Sequence, residues 1–140
     1  MEDIIKIFVA LLLGGFLGAE RGRAGKPAGL RTYMLITIAA TAFTIISKEA
    51  NTYFNYPNYD PSRLMSQILL GIGFIGGGII IYQQEHIRGL TTAAGLWMAT
   101  AIGLLVGIGF YTLAALLTFL SFIILEFFLR IEEKIDDKKL

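Results

Sequence analysis

The chain contains no cysteine, a single histidine and only three prolines among its 140 residues. Without cysteine there is no disulfide framework, no thiol nucleophile and no thiolate metal site. The one histidine, His86, sits in a short polar turn with no second ligand near it in sequence, so no metal is assigned there. Charge is scarce as well. Asp, Glu, Lys and Arg make up 16% of the chain, hydrophobic residues make up 55%, and the net charge is +1. So small a balance gives no electrostatic footing for a nucleic-acid partner. No phosphate-cradling loop and no nucleophile–base pair is present, which excludes the usual grounds for reading an enzyme or a bound cofactor. A mean hydropathy of +0.66 is too apolar for a soluble core and points to several membrane-spanning helices.

What the chain has in plenty is glycine, with 16 residues. Five of the twelve residues of Leu70–Ile81 are glycine, and the other seven are large and apolar. With no polar residue to cradle a ligand, this stretch reads as a central membrane helix with the other spans packed against it. Gly73 and Gly77 form a GxxxG pair, the spacing that lets helix backbones approach closely in lipid. Gly14/Gly18 and Gly103/Gly107 repeat that spacing, and Gly71 and Gly76 belong to the same small-residue surface. These are more close-contact faces than one small bundle needs. A homodimer or a complex with another membrane protein is therefore expected.

Five transmembrane helices are expected, over about 4–24, 28–47, 62–83, 90–106 and 110–129, followed by a charged tail, 130–140. Asp60-Pro61 opens the third span with an N-cap carboxylate and a proline whose missing N–H costs nothing there. Between Gly89 and Leu129 the only charged residue is Glu126, and this length exceeds one span of about 20 residues. Gly107-Ile108-Gly109 is the natural break, because closely spaced glycines disfavour a continuous helix. Tyr53, Phe54, Tyr56 and Tyr59 between spans two and three suit the membrane–water interface. The acidic Met-Glu-Asp start and the lack of an A-x-A site argue against a cleaved leader, so span one is expected to be retained.

Lys and Arg set the orientation. With five spans, nine of the twelve fall on one side, in the first connector, at Arg88 and in the tail; only Lys6, Lys48 and Arg63 fall on the other. A four-span arrangement gives seven against five, a weaker contrast. The N-terminus is therefore placed outside and the C-terminus in the cytoplasm.

The first four spans contain an internal repeat. Gly15-Phe16-Leu17-Gly18-Ala19 matches Gly73-Phe74-Ile75-Gly76-Gly77 at an offset of 58, and Gly29-Leu30-Arg31-Thr32 matches Gly89-Leu90-Thr91-Thr92 at 60. Spans one–two and three–four then form duplicated hairpins entering from the same side, a parallel repeat. By the same token span one extends past its glycines to about Ala24. That sets Glu20 and Arg21 within the headgroup boundary, where an ionisable residue is a functional candidate.

Glu20, Arg21, Arg31 and Arg88 all lie at the cytoplasmic ends of the first four spans. Glu20 is expected to pair with Arg31 across the hairpin, leaving Arg21 or Arg88 for an anionic group. Arg23 and Lys26 read as anchors that snorkel to lipid phosphate. Thr32, Thr91 and Thr92 stand at helix starts, where a hydroxyl caps the helix or closes a helix–helix contact. A Mg²⁺ site is disfavoured, since the ion wants oxygen ligands with one or two carboxylates, and Glu20 stands beside arginines.

Taken in order, Glu20-Arg21, Ala28-Gly29-Leu30-Arg31-Thr32, Asp60-Pro61-x-Arg63, Gly71 to Gly78 and Arg88 to Trp97 resemble the membrane domain of the MgtC/SapB family over roughly residues 5–125. Gly22 departs from the acidic residue expected after Glu-Arg, and the soluble C-terminal domain of longer members has no counterpart here. The resemblance implies a bacterial inner-membrane protein linked to magnesium homeostasis, growth in low magnesium and virulence. It implies action by binding and regulating membrane partners, such as the F-type ATP synthase. The alternatives are a small Mg²⁺ or other ion transporter, and a binder of a small anion or lipid headgroup at the cytoplasmic face.

Overall fold

The structure is a computed structural model that describes residues 1–54, 59–83 and 86–136. Tyr56, then Gln84 and Glu85 of the polar turn beside His86, and Lys138 and Lys139 of the charged tail lie outside those residues. Five helices carry the fold: α1 Glu2–Arg23, α2 Leu30–Phe54, α3 Pro61–Ile79, α4 Leu90–Ile108 and α5 Tyr111–Asp136. The protein is an all-α polytopic membrane protein. Among the described residues four helices, α2 to α5, are long and apolar enough to cross a membrane by length and composition. Helix α1 carries Lys6, Glu20 and Arg21, but all three are buried in the bundle. It turns Ile5, Phe8, Leu12 and Phe16 outward instead.

Helix α2 lies at the centre. Tyr33, Thr37, Thr41, Thr44 and Ser47 recur every three or four residues and are each fully buried. This stripe meets glycines from both sides. A Cβ built on Gly14 or Gly18 of α1 would strike Thr37 or the Leu30–Tyr33 segment. On α4, one built on Gly103 would lie 2.6 Å from the Thr37 carbonyl oxygen, and one on Gly107 2.7 Å from Thr44 Cγ2. Only glycine permits these approaches. The Thr and Ser hydroxyls are satisfied internally: Thr44 donates to the Ala40 carbonyl at 2.7 Å, and Thr41 crosses to the Gly103 carbonyl of α4 at 2.8 Å. The buried Tyr33 hydroxyl has no partner among the described residues. Residue numbers rise together along the α2–α4 contact and oppose each other along α1–α2, so α2 and α4 run parallel and α1 and α2 antiparallel.

The central place expected for Leu70–Ile81 is a correction. Helix α3 is peripheral, burying only Ile72 and Gly76, and Phe74 is 86% exposed. Among the described residues Gly71, Gly73 and Gly77 do not pack: nothing there lies within 4 Å of a Cβ built on any of them. The reason is occupancy, because α1 and α4 already fill the one surface, the α2 stripe, into which glycines fit. Helix α3 also stops at Ile79 rather than near residue 83. Three adjacent glycines weaken its last turn, and the β-branched run Ile79–Ile81 favours extended backbone. Ile80 is already extended, with φ −77° and ψ 116°. Two short antiparallel strands follow, β1 Ile81–Gln83 and β2 His86–Arg88, with Ile81 opposite Arg88.

Other boundaries differ less. Helix α2 continues to Phe54, through residues read as an interfacial loop. The α4–α5 break falls at Gly109, whose φ of +103° caps α4, while Gly107 stays inside the helix against Thr44. The repeat is visible as equivalent contacts. Gly18 packs on Tyr33, and Gly76, its counterpart 58 residues on, packs on Ala93, the counterpart of Tyr33 at 60. The Tyr33 N–H donates to the Gly29 carbonyl at 3.1 Å and the Ala93 N–H to the Gly89 carbonyl at 2.8 Å.

Gly103→Ala therefore lowers thermal stability by roughly 1–3 kcal/mol, the usual cost of overpacking a close contact. Gly73→Ala, facing open space, does not lower it. Thermal unfolding of both variants in the same detergent checks the contrast.

Candidate functional site

The polar residues of interest gather at one end of the bundle. The C-terminal turns of α1, the start of α4 and the second half of α5 meet there, with the 24–29 connector alongside. Arg21 is 1% exposed and Glu20 6%. Arg21 Nε and Nη2 donate to the two carboxylate oxygens of Glu20. Nη2 also donates to the Leu125 carbonyl oxygen of α5 at 2.8 Å. A bidentate guanidinium–carboxylate pair is the strong form of this interaction, and here it also ties α5 to α1. Phe16 and Phe122, one helical turn or so away, add a ring contact with centroids 4.9 Å apart.

The expected Glu20–Arg31 pair does not form. Gly18 draws Leu30 directly onto α1, and Arg31, one step further round α2, is turned outward and exposed. Thr32 is half-buried and stands apart from the site. Arg21 takes the carboxylate instead.

Beside this pair lies an open cavity of about 720 Å³. Arg21, Lys26, Arg88, Thr91 and Thr92 form its polar wall, and Ile87, Leu90, Ile124, Leu125 and Phe128 its apolar one. The structure thus brings Arg21, Arg88, Thr91 and Thr92 together and leaves Arg31 and Thr32 out. It adds Lys26, which the sequence offered only as a lipid anchor. As a cation site the end is poorly suited, because the buried Glu20 carboxylate is already held by Arg21. Among the described residues no three His, Cys, Asp or Glu side chains gather as metal ligands.

Sequence reasoning also passed over the α2 hydroxyl stripe and Gly95 of α4. A Cβ on Gly95 would run into the Tyr33 hydroxyl. The signal was present: hydroxyl residues at i, i+4, i+7 and i+10 from Thr37 on an otherwise apolar span.

Arg21→Gln leaves the Glu20 carboxylate buried without its counter-charge and destabilises the protein by about 3–5 kcal/mol. Glu20→Gln combined with Arg21→Gln costs less than Arg21→Gln alone, since no buried charge remains. Unfolding of the two singles and the double in detergent, read as a double-mutant cycle, checks this.

With this geometry in view, the chain can be set beside known proteins. The MgtC family model matches residues 7–134. YhiD of Escherichia coli (strain K12), named as a candidate magnesium transporter, is 39% identical over 130 residues, covering 91% of this chain and 60% of YhiD. Protein SapB of Bacillus subtilis (strain 168) is 40% identical over 116 residues, covering 79% of this chain and 49% of SapB. Protein MgtC of Brucella abortus (strain 2308) is 41% identical over 109 residues, covering 78% and 44%. The chain thus spans about half the length of these relatives. No solved structure matches it. On both the family match and these identities, the chain belongs to the MgtC family.

Proposed function

We propose that this protein works in the bacterial inner membrane in magnesium homeostasis, and that it acts by binding and regulating membrane partners rather than by moving ions itself. The observation that carries this reading is the α3 face. Gly71, Gly73, Gly77 and Gly78 line one helix with no neighbour within reach of a Cβ among the described residues, whereas the glycines at 14, 18, 95, 103 and 107 each meet α2. In lipid, where apolar burial does not drive helices together, such a surface is useful chiefly for close backbone contact with another helix. A second copy of the chain and the membrane part of an F-type ATP synthase both offer helices of that kind. On this reading its role belongs to low-magnesium adaptation and virulence.

The interior supports binding over transport. Thr37, Thr41, Thr44 and Thr100 all spend their hydroxyls on backbone carbonyls of the bundle. The Glu20 carboxylate, which a Mg²⁺ pathway would need, is held by Arg21. With the N-terminus outside, the Arg21 end is cytoplasmic.

Because the native chain has no cysteine, Gly73→Cys and Gly77→Cys give single-thiol variants. In native membranes they are expected to cross-link into discrete adducts, to a second copy or to a larger membrane protein, while Phe8→Cys on the outer face of α1 does not. The purified protein in sealed liposomes is expected to admit no Mg²⁺. Entry that is lost in Glu20→Gln would replace this reading with a transporter.

A further inference from the structure

The cavity at the Arg21 end has a use that the α3 face does not explain. It is built by α1, α4, α5 and two connectors, not by α3. Glu20 cancels the charge of Arg21, so the excess positive charge comes from Lys26 and Arg88. Among the described residues neither of these makes an ion pair. Arg21 Nη1 takes no part in the bonds to Glu20 and Leu125. Thr92 is only 3% exposed yet lines the cavity, and its hydroxyl makes no side-chain hydrogen bond among the described residues. That sets it apart from the buried Thr37, Thr41, Thr44, Thr100 and Thr118, which each donate to a carbonyl. The Thr92 side chain, the Arg21 guanidinium and two cations without an ion pair among the described residues thus line one space. An oxyanion with several acceptor oxygens is what such donors recognise.

The apolar part of the lining narrows the class. Ile87, Leu90, Ile124 and Phe128 line the same cavity. Inorganic phosphate has no use for it, whereas a phospholipid places a phosphate beside acyl carbons. We propose that this cavity is a phosphate-binding site, with Lys26, Arg88, Arg21 and Thr92 on the phosphate oxygens, and that a membrane phospholipid supplies that phosphate. Lys26 and Arg88 carry the charge recognition. Thr92 supplies a directional bond, and the α5 wall holds the first acyl segment.

The test uses the purified full chain in a neutral detergent and calorimetric titration with three probes: dioctanoyl phosphatidylglycerol, dioctanoylglycerol and inorganic phosphate. The phosphatidylglycerol is expected to bind saturably and the dioctanoylglycerol, which has the same chains without phosphate, is not. The Lys26→Gln, Arg88→Gln double variant is expected to bind the phosphatidylglycerol at least tenfold more weakly, and Thr92→Val several-fold more weakly, with unchanged unfolding profiles. Arg88 is exposed and Lys26 half-buried, and neither makes an ion pair among the described residues, so their removal leaves the fold intact. Binding of inorganic phosphate without the lipid, lost in the same double variant, would keep the phosphate site and make its source free phosphate. Equal binding of dioctanoylglycerol, undiminished binding in the double variant, or no binding of either phosphate probe would overturn the proposal.

Discussion

The bundle depends on one constraint, the approach of two glycine-bearing helices to the hydroxyl stripe of α2. Tyr33, Thr37, Thr41, Thr44 and Ser47 would each be a polar liability in lipid, where an unsatisfied group costs several kcal/mol. Glycines on α1 and α4 bring backbone close enough to bury the stripe on two sides, and most of its hydroxyls turn to carbonyls. The small residues and the hydroxyls need each other. Neither would be stable in the position of the other, and together they replace the bulky apolar core that a water-soluble bundle would use.

Charge is handled by the same economy of contact. Lys6, near the start of α1, is buried and lies 2.7 Å from Glu2 and 3.2 Å from Asp3. Glu20 and Arg21, near its end, neutralise each other. Each charge therefore has its partner on the same helix, so α1 can run along the bundle without depending on a neighbour for neutrality. The Arg21 Nη2 that bonds Glu20 also donates to the Leu125 carbonyl of α5. Helix α5 is thus latched at the end where Lys26 and Arg88 stand without an ion pair among the described residues.

The repeated contacts account for the frame but not for its occupancy. The two hairpins make equivalent contacts at Gly18–Tyr33 and Gly76–Ala93. Yet α2 receives glycines from two helices, while the glycines of α3 meet almost none of the chain. Ala93 where the first hairpin has Tyr33, and apolar residues where it has threonines, leave the second hairpin without a stripe of its own. The α3 face is the unmatched half of a duplicated interaction.

The sequence alone determined the class, the number of helices, the pairing of the hairpins and the family. Each of these follows from local or one-dimensional facts: run length, GxxxG spacing, matched segments at fixed offsets and ordered motifs. It also named Glu20, Arg21, Arg88, Thr91 and Thr92, because charge and hydroxyl at a helix end stand out against apolar spans. Only the tertiary structure decided which glycines pack. Spacing shows that a helix face is smooth, but not whether another helix brings a ridge to it. It also decided that Arg21 rather than Arg31 takes the Glu20 carboxylate. That depends on the rotation of α2 against α1 set by Gly18, a three-dimensional angle with no trace in the order of residues. The recruitment of Lys26 and the α5 wall to the cavity belongs to the same class. It arises from helices far apart in sequence converging at one end of the bundle.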